Sequence, residues 1–220
     1  NKDWLFGFLS YDLKNEVEQL QSNNIDNFSF PNLFFFIPET ILFISDRNLM
    51  VETFSSKQEI DKMIEDIKNE KESSNRHQSI ELTPRENQEQ YLQKIIKIKN
   101  HIQRGDIYEM NYCQELYSED THITPEKVFL ELNKSSKAPF SVYFKYNEKY
   151  LLCSSPERFL QKKGDRIISQ PIKGTRKRGT STEEDKILLN DLTNSQKDKS
   201  ENVMIACLLY TSDAADEWLR

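Results

Sequence analysis

From Pro139 to Gln170 the chain reads PFSVYFKYNEKYLLCSSPERFLQKKGDRIISQ, a series of strand-forming runs parted by two-residue breaks. A break that short can only turn a strand back antiparallel, because a parallel crossover takes a dozen residues or more. Asn147-Glu148 and Gly164-Asp165 are therefore predicted hairpin turns. ILFIS and LMVETF around Asp46-Arg47-Asn48 predict another hairpin, and WLFGFLSY, LFFFIPE and DIYEMNYCQELY read as further strands. Helical spacing appears between these runs. Ile60, Met63, Ile64 and Ile67 share one face of SKQEIDKMIEDIKNE, and Tyr91, Leu92, Ile95, Ile96 and Ile102 share another after Pro84, with Gly105 as the stop. Thr124-Pro125 opens a short helix carrying Phe129, Leu130 and Leu132. Thr182 and Ser195 are predicted N-caps, each with an Asp three residues on. Hairpins with interspersed helices argue an antiparallel α+β fold over a wound parallel sheet.

Charge and cysteine usage then narrow the function classes. The 220 residues carry a net charge of −6, which disfavours a duplex-binding protein that must neutralise many phosphates. No apolar run reaches the roughly 18 residues of a membrane span. Cys113, Cys153 and Cys207 show no CxxC spacing, which points to reduced thiols in a cytoplasm with neither a disulfide frame nor a zinc site. His77, His101 and His122 fall near a linker, a helix end and a loop, and are assigned no site.

The chain is expected to divide into an N-terminal region over 1–70, a linker or surface loop over 71–83, and a larger region over 84–206. It opens on Asn1 and runs at once into an aromatic strand, so an upstream part is expected. CLLYTSDAADE, Cys207 to Glu217, resembles the translation of an adapter used in sequencing libraries, and 207–220 is expected to carry no fold. A chain cut at both ends is expected to be inactive and prone to aggregate.

SQPIKGTRKRG, Ser169 to Gly179, sets Lys173 ahead of three more cations. Most such runs are solvated faces or polyanion sites. A lysine that acts as a nucleophile must be neutral, which requires burial or nearby cations to depress its pKa. The triplets Ser-Pro-Glu and Lys-Gly-Thr are each common and say little alone.

Taken in order, GDIYEMNYCQ (Gly105 to Gln114), SSPERFL (Ser154 to Leu160), PIKGTRKRG (Pro171 to Gly179) and KDKSENVMI (Lys197 to Ile205) resemble the chorismate-binding enzymes, as does the opening WLFGFLSYDLKNEVE. The resemblance covers nearly everything before Cys207, with the family's final third absent. It implies two packed, mostly antiparallel sheets with outer helices, here incomplete. Pro171-Ile172-Lys173-Gly174-Thr175 resembles the aminodeoxychorismate synthase component I branch, whereas the anthranilate synthase branch typically has Ala in place of the lysine. The resemblance then implies chorismate as substrate, magnesium as cofactor, and ammonia from a glutamine amidotransferase subunit. Lys173 is implied to attack C2 of chorismate as the C4 hydroxyl leaves, with Glu157 as the general acid that protonates it in a dry pocket. Gly174 and Thr175 are implied to line the substrate pocket, and Glu201 to be a magnesium ligand. Glu109 departs from the glutamine of many amino-transferring members, and the absence of lysine there counts against water as the nucleophile. Two alternatives stand beside this reading. One is anthranilate synthase component I, and the other is a non-catalytic polyanion-binding module built on Lys162, Lys163, Arg166 and the cations at 176–178.

Overall fold

Hairpin chemistry and helix caps account for most of the elements. The computed structural model describes residues 3–70 and 80–211, with side chains described as far as Ala206. Residues 71–79 of the expected linker, His77 among them, and 212–220 of the expected tail lie outside the described residues. The chain divides into two units, Asn1–His77 and Gln78–Arg220.

In the first unit β1 (Phe6–Leu9) pairs antiparallel with β2 (Leu33–Phe36), Gly7 facing Phe35. Cross-strand ring pairs Phe6–Phe36 and Phe8–Phe34, each with centroids 6.2 Å apart, line that ladder. A short 3-10 turn and α1 (Lys14–Val17) follow β1. β3 (Thr40–Ser45) and β4 (Asn48–Thr53) form the predicted hairpin, with Asn48 already in β4 and Asp46-Arg47 alone in the turn. Trp4 joins this hairpin through its indole, which donates to Glu52 Oε2 at 2.8 Å and lies 5.5 Å from the Phe43 ring. α2 (Lys57–Asn69) starts on a capping box in which Ser56 Oγ accepts from Glu59 N–H and Glu59 Oε2 accepts from Ser56 N–H.

The second unit opens on β5 (Thr83–Pro84), so Thr83, the last residue of the expected linker, is strand. α3 (Gln88–Arg104) begins on a second reciprocal cap, Asn87 with Gln90, and ends at Gly105, whose φ of +80° makes it the predicted stop. DIYEMNYCQELY does not form the predicted strand. Only β6 (Leu116–Tyr117) pairs, with β5, because the residues before it are fastened by side chains in place of a ladder: Tyr112 Oη donates to Glu86 Oε2 at 2.5 Å and Gln114 Nε2 to the Glu86 carbonyl at 2.7 Å.

α4 (Pro125–Ser136) has Pro125 in its first turn and lies against β7 (Phe140–Tyr146) and β8 (Lys149–Ser155). Phe129 meets Tyr143 at 5.6 Å between rings, and Tyr143 Oη donates to Glu126 Oε1 at 2.7 Å. Partial burial and that carboxylate push the Tyr143 phenol up to about 12. β7–β8 and then β9 (Arg158–Lys163) with β10 (Arg166–Gln170) close on two-residue loops whose first residues, Asn147 and Gly164, take positive φ.

α5 (Thr182–Asn194) is capped by Ser181, whose Oγ accepts from Glu184 N–H at 3.1 Å; Thr182, the predicted cap, is the first helical residue. Ser195 does cap α6 (Gln196–Thr211), accepting from Asp198 N–H at 3.3 Å. The α6 backbone runs through the expected boundary at 207 without a break.

The fold is α+β and antiparallel throughout. In place of two large sheets, the described residues form five separate two-stranded ladders. A two-stranded ladder cannot enclose an apolar face by itself. Accordingly no described side chain is fully buried, and large apolar residues such as Phe159 and Ile167 stay exposed.

Candidate active site

The β9–β10 ladder sets both principal candidates at one of its ends. Its register shifts between Ile168 and Gln170, and after the shift Gln170 faces Arg158, whose Nε donates to Gln170 Oε1 at 2.9 Å. Glu157 immediately precedes Arg158, and the Lys173 loop immediately follows Gln170. A bulge of this kind bends its strand and redirects the chain beyond it.

Past the bulge, the loop runs against α6. Gly174 has a φ of +84°, and a Cβ there would stand 2.8 Å from Asp198 Cβ and Oδ1, so both backbone conformation and space call for glycine. Arg176 reaches the same Asp198, Nη2 to Oδ2 at 2.7 Å. Arg178 grips Asp185 of α5 with both arms of its fork, at 2.8 and 2.5 Å, while Gly179 N–H donates to Asp185 Oδ1 at 2.8 Å. Those donors hold the Asp185 carboxyl down to about 2. Lys177 faces Glu184 at 3.9 Å. The three cations of the run, a pattern that in most sequences marks a solvated face or a polyanion site, are each matched by a carboxylate at the start of α5 or α6.

Lys173 is half-buried, and its Nζ donates to Glu109 Oε1 at 3.0 Å. Hydrogen bonding to Glu109 raises the Lys173 ammonium above the ordinary lysine range, with the charges of Glu109 and Glu201 adding to it and burial opposing. This corrects the expectation of a depressed lysine. The groups facing its Nζ are carboxylates, and the arginines of its own loop are committed to α5 and α6. Glu109 Oε2 is buried and has no hydrogen-bond partner.

Sequence reasoning singled out Glu109 as a departure from glutamine and missed it as the partner of Lys173. No local pattern joins two residues 64 positions apart.

Glu201 lies half-buried on α6, 3.8 Å from Lys197 Nζ one turn back. Thr175 is exposed, and its carbonyl accepts from Arg176 Nη1 at 2.9 Å. Glu157 is also exposed. Its N–H donates to Ser155 Oγ, and its carbonyl accepts from the same hydroxyl, both at 3.2 Å. Arg158 is turned toward Gln170 and the Phe140 ring, and among the described residues no ion pair joins it to Glu157. The dry pocket expected around Glu157 is not formed by its own turn. The structure therefore gathers Lys173, Gly174, Glu109, Asp198 and Glu201, and leaves Glu157 and Thr175 facing solvent.

The family model described as chorismate binding enzyme matches residues 1–212, nearly the whole chain. The chain belongs to the chorismate-binding enzymes. Over 216 residues it is 26% identical to aminodeoxychorismate synthase component 1 of Bacillus subtilis strain 168, covering 92% of this chain and 46% of that protein. Over 122 residues it is 37% identical to the Klebsiella aerogenes aminodeoxychorismate synthase component 1, covering 55% of this chain and 27% of that one. Anthranilate synthase component 1 of Thermus thermophilus is 27% identical over 213 residues, with 90% and 45% covered. The crystal structure of anthranilate synthase component I from Streptococcus pneumoniae TIGR4 superposes with a TM-score of 0.74 at 18% identity, over 94% of this chain and 48% of that one. That likeness shows the fold of the chorismate-binding enzymes in this chain. The chain spans about half the length of the curated relatives it matches.

Glu201 is a half-buried carboxylate of the class magnesium takes, alongside waters and substrate oxygens. Among the described residues no group of three or more His, Cys, Asp or Glu side chains is placed to hold a metal ion. Nor is any described helix long and apolar enough to cross a membrane.

Proposed function

We propose that the chain works as part of an aminodeoxychorismate synthase component 1, in which chorismate and ammonia give 4-amino-4-deoxychorismate on the route to para-aminobenzoate and folate. The observation that carries this reading is Lys173. It stands in Pro171-Ile172-Lys173-Gly174-Thr175, is half-buried, and is held by a loop fastened to two helices. Where a C2-aminating relative of this resemblance has alanine, ammonia itself must attack C2. With a lysine present, the amine takes that position first.

In this mechanism the neutral Lys173 amine forms a bond to C2 as the two conjugated ring double bonds shift and the C4 hydroxyl departs. Hydroxide leaves poorly, so Glu157 gives it a proton and water is released. Ammonia then bonds to C4, both double bonds return, Lys173 is expelled from C2 as an amine, and the new ammonium at C4 gives back the proton that Glu157 lost. Gly174 and Thr175 lie beside Lys173 in sequence and flank the substrate through backbone and hydroxyl groups. Glu201 would hold magnesium, which when bound supplies positive charge against the substrate carboxylate. Ammonia is supplied by a glutamine amidotransferase subunit, the component II that the relatives' name component 1 implies. A cytoplasmic location belongs to the same reading, and the free thiols Cys113 and Cys153 suit a reducing compartment.

The polyanion-binding alternative loses support from the pairing of Arg176 and Arg178 with Asp198 and Asp185, since neutralised cations leave little charge for phosphates. Anthranilate synthase component 1 is the other outcome of the deciding assay. With chorismate, magnesium and an ammonium salt, the full-length protein is expected to release 4-amino-4-deoxychorismate as its main product. Anthranilate as main product would overturn the reading.

A further inference from the structure

We propose that Glu109 positions Lys173 and serves as its proton acceptor, so that the pair makes its own nucleophile by internal proton transfer. The inference rests on the C4-amination reading and adds to it the step that reading lacks. An ammonium has no lone pair, and Lys173 as placed is an ammonium held by a carboxylate. Two charged groups act on it, Glu109 from the segment between α3 and β6 and Glu201 from α6; Asp198, also on α6, is taken up by Arg176. Of these only Glu109 is in hydrogen-bond contact, at 3.0 Å, the distance across which a proton passes directly.

The second Glu109 oxygen points the same way. Oε2 is buried and unpartnered, a surrounding that disfavours a full carboxylate charge more than a neutral acid. A proton handed from Nζ to Glu109 converts the ion pair into a neutral amine and a carboxylic acid. The acid keeps one oxygen on the amine and gains a hydroxyl.

The step balances. Lys173 loses one proton to Glu109, and its freed electron pair forms the bond to C2. When ammonia bonds to C4, Lys173 leaves C2 with that pair as a neutral amine. Glu109 then returns the proton, restoring the starting ion pair. No external base is consumed.

The test reads Lys173 directly and through turnover. In the full-length protein, reductive methylation with formaldehyde, followed residue by residue by mass spectrometry across pH, reports the neutral fraction of Lys173. Glu109→Gln is expected to raise Lys173 labelling about tenfold at neutral pH, the removal of one adjacent charge being on the order of one pKa unit. C4 amination is the second readout. In the wild type kcat/KM stays level across neutral pH, because the proton moves within the pair. In Glu109→Gln, with no acceptor, it climbs tenfold per pH unit until Lys173 is neutral. Glu109→Asp keeps the acid and restores the level profile at a reduced rate, which separates proton transfer from mere support.

Unchanged Lys173 labelling in Glu109→Gln overturns the pair. Shifted labelling with a level pH profile in Glu109→Gln overturns the proton transfer. Anthranilate as the wild-type product overturns the reaction reading and this inference with it, the labelling shift then recording a structural ion pair.

Discussion

Along the loop that carries Lys173, side chains from distant parts of the chain converge: Glu109 from beyond α3, Asp185 from α5, and Asp198 and Glu201 from α6. Around Glu157, at the same end of the same ladder, the hydrogen bonds stay within Ser155 and the turn's own backbone. The first region is preorganised by contacts this chain makes; the second is positioned by its backbone alone. Preorganisation matters because a catalytic group fixed before substrate arrives needs no reorganisation at the moment of reaction. The general-acid role proposed for Glu157 requires dry surroundings that keep it protonated, and its own turn does not supply them.

The largest effect is expected from removing the amine itself. Lys173→Ala should lower C4 amination by at least ~10³-fold and abolish any covalent adduct at this position, as for other enzymes that lose their nucleophile. With the lysine gone, ammonia is left to attack C2, so product analysis should find the C2-aminated product, 2-amino-2-deoxyisochorismate, in what activity survives. An unchanged C4 rate would make Lys173 a bystander and erase the contrast between the two regions.

Next in size is a split between the carboxylates. Glu157→Gln keeps size and hydrogen bonding while removing a proton donor, so kcat should fall ~10²- to 10⁴-fold with substrate binding retained. Glu201→Gln should act on binding, raising KM for chorismate and recovering in part at high magnesium. Steady-state kinetics at several magnesium concentrations checks both. If both variants lose only kcat at saturating magnesium, Glu201 is no ligand, and Glu157 is not set apart from it.

Legibility in the sequence divides along the same line, between local and distant contacts. The turns at Asn147-Glu148 and Gly164-Asp165, the stop at Gly105 and the helix after Ser56 are all fixed by residues within a few positions of one another. They are legible for that reason. Thr182 and Ser181 are adjacent potential caps, and the choice between them depends on which hydroxyl reaches Glu184 N–H, a matter of one residue of register. DIYEMNYCQELY has strand-forming composition, yet a strand needs a partner, and only Leu116 and Tyr117 find one. Lys173 is legible as a candidate because its neighbours Gly174 and Thr175 are contiguous with it. Its ionisation is not, because the group that sets it, Glu109, arrives from 64 residues away. The same holds for the cationic run, whose apparent free charge disappears once Asp185 and Asp198 are brought to it.

The smallest effect tests whether the fastening of the Lys173 loop is electrostatic. Asp185 accepts from both arms of Arg178 and from Gly179 N–H, and these donors favour its charged form. Its folded pKa of about 2 lies below the ~3.9 of an unperturbed aspartate. A depressed folded pKa means that the carboxylate stabilises the folded chain above about pH 4, and that this contribution disappears as pH falls through about 2. The carboxylate is solvent-accessible and screened, so the contribution is modest and should shrink further in high salt. Urea midpoints measured from neutral pH downward should therefore place Asp185→Asn below the wild type above pH 4, with the two curves converging as pH approaches 2. Carboxyl-carbon NMR of Asp185 should show its titration near the acid end of the same range. A constant offset between the curves at all pH values would mean that Asp185 supports the loop by shape and neutral hydrogen bonds. In that case the Lys173 loop would be held much as the Glu157 turn is, by backbone geometry, and charge pairing would cease to distinguish the two regions.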